Sequence, residues 1–119
     1  MTQDSLTRAR IVVDGDVQGV GFRYKVRRIA RNQRLVGYVK NLDDGTVEIV
    51  CEGTKSSIES FAEEIKMMKE PIVVERVDIT FEEPKKEFKA FKVVVDELAE
   101  EMVEGFSTWS TYFEMMVSK

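Results

Sequence analysis

The 119-residue chain contains no histidine and a single cysteine, Cys51. Without histidine, imidazole general acid–base catalysis and imidazole-activated nucleophiles are excluded. The same shortage leaves the usual zinc ligand sets impossible to assemble from one chain, so neither a metal nor a cofactor is expected. One cysteine makes no intramolecular disulfide, which fits a reducing, cytoplasmic compartment. No apolar run approaches the roughly 20 residues of a membrane span, and the stretch from Met1 to Arg10 lacks the apolar core of a signal peptide. Internal repeats and low-complexity linkers are absent too. The length therefore suits one domain with a real core.

What is present begins with charge. The net charge of −4 hides an asymmetry. Between Val17 and Leu42 stand Arg23, Lys25, Arg27, Arg28, Arg31, Arg34 and Lys40, with no acidic residue among them. From Asp96 onward six acidic residues face only Lys119. A basic stripe attracts anionic substrates or nucleic acid. The interleaved aromatics here are few, Phe22, Tyr24 and Tyr38, and the whole chain is negative, which argues against nucleic acid as partner.

Hydropathy periods give the architecture. Ala9 to Val13 reads as a strand and Phe22 to about Asn32 as a helix with one apolar and one basic face. Leu35 to Asn41 is a second strand, joined through Asp43-Asp44-Gly45 to a third in which Val47, Ile49 and Cys51 alternate with Glu48 and Glu52. Cys51 thus reads as a core thiol. A second helix follows Gly53, with Ser56 and Glu59 as a capping box and Ile58, Phe61, Ala62, Ile65 and Met68 as its apolar stripe. Pro71 bars its continuation. Ile72 to Phe81 is a fourth strand, Glu83-Pro84-Lys85-Lys86 a charged turn, and Phe91, Val93 and Val95 mark a closing strand. The order β-α-β-β-α-β predicts an α+β, ferredoxin-like sandwich with two helices on one face of an antiparallel sheet.

The chain is organised around Gly15-Asp16-Val17-Gln18-Gly19-Val20-Gly21-Phe22-Arg23. Three glycines between a strand and a helix let consecutive N–H groups point into one concavity beside a helix N-terminus, an arrangement that favours an anion. Arg23 in the first turn opposes the helix dipole unless an anion sits between them, and its planar fork suits a phosphate. The segment is neither a Walker loop nor a full dinucleotide fingerprint. Val17-Gln18-Gly19-Val20-Gly21-Phe22-Arg23 resembles the signature of the acylphosphatase family. So does a second block, Gly37-Tyr38-Val39-Lys40-Asn41 followed by Asp44-Gly45-Thr46-Val47-Glu48, with Glu52-Gly53 after it.

The resemblance covers roughly residues 8–95 and implies the same sandwich. It also implies hydrolysis of a small-molecule acyl phosphate to a carboxylate and inorganic phosphate, by metal-free in-line attack of water. Arg23 then binds phosphate with the backbone N–H groups of Gln18, Gly19, Val20, Gly21 and Phe22, and Asn41 positions the water. Four positions depart from the family pattern. Asp16 replaces a common basic residue, Tyr38 a tryptophan and Lys40 an arginine, and no glycine precedes Leu35, so Asn32 is expected to take the left-handed helix-ending conformation. The same motif occurs within larger hydrogenase-maturation enzymes, whose remaining parts this chain lacks.

A different class stays open: a non-catalytic anion-binding or regulatory domain, since folds and even site outlines are reused. Residues 96–119 lie beyond the resemblance. Leu98, Met102, Phe106, Trp109, Phe113 and Met116 recur at helical spacing in an acidic segment. That pattern predicts an amphipathic helical tail through which the chain forms a homo-oligomer, with docking of the tail onto its own domain as the alternative.

Overall fold

Period-two alternation decides which way each strand faces. In a computed structural model describing residues 5–95, Ala9, Ile11 and Val13 of β1 (Leu6–Asp16) are fully buried, as are Val47, Ile49 and Cys51 of β3 (Val47–Thr54). They meet Phe22, Val26 and Ala30 of α1 (Phe22–Asn32) and Ile58, Phe61 and Ile65 of α2 (Lys55–Lys66) in one cluster. Both helices therefore cover the same face of the sheet. Fully burying each large apolar side chain stabilises the fold by roughly 1.5–3 kcal/mol. The tail expected at 96–119 lies outside the described residues.

With β2 (Val36–Asn41), β4 (Val73–Glu82) and β5 (Phe91–Val94) the sheet has the order β4-β1-β3-β2-β5. Four strands pair antiparallel, as expected. The fifth runs parallel to β2, which makes the sheet mixed. Residues 83–86 are consequently not a turn between neighbouring strands, as the sequence suggests, because β4 and β5 occupy opposite edges.

The register makes the crossing explicit. Phe81, Ala9, Cys51, Gly37 and Phe91 form one transverse row of paired residues. The chain thus leaves β4 and re-enters at β5 on the same level of the sheet. Four inter-strand spacings put the edges about 19 Å apart, and the steps from Glu82 to Phe91 reach about 30 Å when fully extended. The segment is thus long enough to cross the sheet directly, over the side chains beneath it.

Those side chains form the face opposite the helices, and it is charged. Glu52 is 3% exposed; its carboxylate accepts from Arg8 Nη1 at 2.9 Å, from Lys85 N–H at 2.8 Å and from Lys86 N–H at 3.0 Å. Burial alone would push this carboxyl up, but the bonds from Lys85, Arg8 and Lys86 outweigh it and hold the group below the usual carboxylate range. Glu48 accepts from Arg10 Nε at 2.7 Å and from the Tyr38 hydroxyl at 3.1 Å. Burial, then the Glu48 charge, push the Tyr38 phenol up to about 12. Phe88 stands edge-on to Tyr38, with ring centroids 6.0 Å apart, and lies 5.4 Å from the Arg8 guanidinium carbon.

Three local expectations change. Gly15 belongs to β1, at a bulge where its register with β4 shifts, so β1 runs on to Asp16 and the anion loop starts later. The N-cap of α2 is Thr54, whose hydroxyl accepts from Ser57 N–H at 3.2 Å, and not Ser56. At the end of α1 the left-handed residue is Arg34 (φ 62°), not Asn32. Leu35 N–H reaches Ala30 O at 2.9 Å and Arg34 N–H reaches Arg31 O at 3.0 Å. These are the paired bonds of a Schellman ending. Its reach is set by Leu35, which must enter the core and is 2% exposed.

Two outcomes follow from this packing. Arg34→Gly should raise unfolding free energy by about 1 kcal/mol, because it removes the Cβ penalty of the left-handed conformation; an urea titration measures it, and a loss of stability would contradict the strain. Cys51 is fully buried, and desolvation, with the adjacent Glu52 charge, pushes its thiol up to about 12. It should therefore resist iodoacetamide at pH 8 in the folded protein and react within minutes in denaturant, as mass spectrometry would record.

Candidate active site

Between Asp16 and Phe22 the chain passes from sheet to helix. Val17 and Phe22 are each 1% exposed, so both ends of the connecting loop are sunk in the core. Gly19 and Gly21 adopt φ of 78° and 79°, and a Cβ at either position would meet open space. Glycine is needed there for backbone angle, not for room. Gly21 is the N-cap of α1; no side chain caps the helix, and its first bond runs from Lys25 N–H to Gly21 O at 3.3 Å. Among the described residues, the N–H groups of Gln18, Gly19, Val20 and Gly21 donate to no protein acceptor. Unpaired donors in a loop that opens a helix make an anion-accepting concavity.

The Gln18 side chain has a role the sequence does not show. Its Nε2 donates to Leu42 O and to Thr46 O, each at 2.8 Å, which uses both amide hydrogens. The carbonyls belong to the turn that follows β2. That turn is itself closed by Leu42 N–H to Thr46 O at 2.9 Å and by Asp44 Oδ1, which accepts from the Thr46 hydroxyl at 2.6 Å and its N–H at 3.0 Å. The two Thr46 bonds, hydroxyl first, hold the Asp44 carboxyl below its ordinary value. Gln18 thus locks the glycine loop to the residues immediately after Asn41.

Arg23 sits in the first turn of α1, half-buried, and its Nη1 donates to Val94 O at 2.6 Å. Val94 pairs with Lys40 in the parallel ladder, one residue before Asn41 at the end of β2. The guanidinium is therefore held at the Asn41 end of the sheet. A second α1 arginine, Arg31, donates to Phe91 O at 3.1 Å and fastens the other end of β5. Asn41 closes β2 opposite Val47, and its Oδ1 is buried with no hydrogen-bond partner among the described residues. An unsatisfied buried carbonyl oxygen costs about 1–3 kcal/mol, and native structures contain few. Its chemistry is that of an acceptor waiting for a donor.

The residues singled out from the sequence, Gln18 to Phe22, Arg23 and Asn41, thus come together at one end of the sheet from three elements. Asp16, the departure that could have opposed an anion, is solvent-exposed at the end of β1, paired with Val73. Sequence reasoning missed two participants. The Val94 carbonyl has no side-chain signature, and the Gln18 carboxamide is interpretable only once the β2–β3 turn is seen beside it.

Comparison with known proteins identifies the family of this fold. Residues 9–93 match the acylphosphatase family. The chain is 40% identical over 85 residues to the acylphosphatase of Acaryochloris marina, covering 71% of this chain and 90% of the relative. It is 56% identical over 57 residues to that of Bacillus subtilis, covering 48% of this chain and 63% of the relative, just under two thirds of the relative's length. The crystal structure of the acylphosphatase from Bacillus subtilis superposes with a TM-score of 0.71 at 41% identity, covering 76% of this chain and 99% of that one. The match extends over nearly all of the described fold and includes both glycine loop and hairpin. The chain belongs to the acylphosphatase family.

Proposed function

We propose that the protein hydrolyses acyl phosphates to a carboxylate and inorganic phosphate by in-line attack of water, with Arg23 and the 18–22 loop holding the phosphoryl group and Asn41 positioning the water. The observation that carries this reading is the buried Oδ1 of Asn41, unpartnered among the described residues, beside a loop whose 18–21 N–H groups have no acceptor among them. A water that donates to Oδ1 turns a lone pair outward, and the Asn41 amide hydrogens remain free to donate toward a phosphoryl oxygen.

The substrate class follows from the leaving group. An acyl phosphate departs as a carboxylate, a weak base that needs no protonation. Its barrier falls when the phosphoryl oxygens are held, their charge is stabilised and a water is aligned. Arg23 and backbone donors supply charge stabilisation; Asn41 supplies alignment. An alkyl phosphate would leave as an alkoxide, and a chain without histidine offers no group suited to protonating it at neutral pH.

The purified protein should hydrolyse benzoyl phosphate at a rate untouched by EDTA, with inorganic phosphate as a competitive inhibitor. A rate equal to that of buffer would refute the activity, and loss in EDTA would refute the metal-free route.

The two side chains should fail differently. Arg23→Lys keeps the charge but loses the planar fork, so phosphate affinity and kcat should both fall, kcat/KM by at least about a hundredfold. Asn41→Ala should leave phosphate inhibition nearly unchanged while kcat drops on the order of a hundredfold. Full turnover in a folded Asn41→Ala protein would remove water positioning from the mechanism.

A further inference from the structure

We propose that Glu52, held by Arg8, is a positioning residue for Arg23: it fixes the course of residues 83–90 across the sheet, and through them the place of the Val94 carbonyl that orients the guanidinium. The inference rests on the reading of Arg23 as a phosphate-binding group. Its starting point is that β5 is short, so the way the chain enters it at Phe91, buried in the core with Arg31 on its carbonyl, decides where the Val94 carbonyl lies. The strand is four residues long, lies at an edge, and joins the sheet only through its parallel pairing with β2. A slip of one residue along β2 would carry Val94 O about 3.3 Å, beyond hydrogen-bond reach of an Arg23 now at 2.6 Å.

The approach to the strand is braced from the other face of the sheet. Glu52 lies on β3, the middle strand, and takes Lys85 N–H on Oε2 and Lys86 N–H on Oε1. Two successive N–H groups on one carboxylate form an anion nest, closed by Lys86 in the left-handed conformation at φ 56°. That conformation disfavours any residue with a Cβ, so the nest holds only while the carboxylate is there. Residues 87–90 then come down onto β2: Phe88 meets Tyr38, and Ala90 O accepts from Gly37 N–H at 3.0 Å, which sets Phe91 beside Gly37.

Arg8 completes the clasp. Its guanidinium is 2.9 Å from Glu52, 3.3 Å from Glu82 where β4 ends, and 3.9 Å from Glu87 after the nest. Phe88 lies over it and meets Tyr38 of β2. One arginine thereby gathers the start, the midpoint and the far side of the crossing. The arrangement reaches the site without touching it: Glu52 to segment 83–90, the segment to β5, Val94 O to Arg23.

The test uses the full chain and two readouts. Side-chain 15N spectra of Arg23 report its bond to Val94 directly, and calorimetry with inorganic phosphate reports the anion site. Glu52→Gln keeps the shape but removes the charge. The expected result is loss of the slowly exchanging Arg23 Nη signal and phosphate affinity weaker on the order of tenfold. In an Arg23→Ala background the same substitution should change phosphate affinity by less than about twofold. An unchanged Arg23 signal in folded Glu52→Gln protein overturns the proposal, as does an equal loss of affinity in both backgrounds. If Glu52→Gln does not fold, Phe88→Ala loosens the same crossing without leaving a buried charge and should shift the Arg23 signal in the same direction; no shift there overturns the proposal equally. A wild-type protein that shows the Arg23 signal but binds no phosphate refutes the functional reading, while the signal still decides the role of Glu52.

Discussion

The middle strand β3 is closed to solvent on both faces, and the rest of the molecule depends on how differently the two are closed. One face is dry: Val47, Ile49 and Cys51 are covered by two helices. The other buries two carboxylates, Glu48 and Glu52, which only charged or hydrogen-bonded partners can stabilise there. Breaking such a buried pair by removing one partner typically costs 3–5 kcal/mol, so the partners are not optional. The polar cover brings Arg8, Arg10, Tyr38 and the backbone of Lys85 and Lys86 to fixed places. A sheet with two apolar faces would need a second helical layer; this one uses a single strip of chain.

Rigidity at the site comes from the same economy. The glycine loop is held through Gln18, which ties it to the β2–β3 turn, through Val20, which packs against the core, and through Val17 and Phe22, which anchor its ends. Arg23 is steered by a main-chain carbonyl, which cannot change rotamer or protonation state. On the proposed reading the site is arranged before a ligand arrives, which suits an electrostatic mechanism, since no reorganisation is needed at the moment of reaction.

Much of this was legible in the sequence, for identifiable reasons. Alternation in 47–51 and the helical stripes report local periods, and those survive into the fold. The candidates Arg23 and Asn41 are proposed from motifs whose residues lie close along the chain. Alternation, however, tells only which face a residue takes. It assigned Glu48 and Glu52 to the non-helical face without revealing that segment 83–90 would cover them. The parallel pairing of β5 depends on a register between residues about fifty positions apart, for which no local pattern exists. Competing local signals explain the rest. Thr54, Ser56 and Ser57 all offer a capping hydroxyl, and burial of Leu35 chooses Arg34 over Asn32 as the left-handed residue.

The span of residues 83–90 has an evolutionary corollary. Surface connections generally tolerate changes of length, because closing a longer loop costs little extra entropy. Here the tolerance is one-sided. Added residues between Lys86 and Phe88 could bulge into solvent, whereas a deletion must be absorbed by giving up one of the segment's anchors: Lys85 and Lys86 on Glu52, Phe88 against Tyr38, or the pairing of β5 with β2. Homologous chains that share this sheet order should therefore show insertions in the crossing far more readily than gaps.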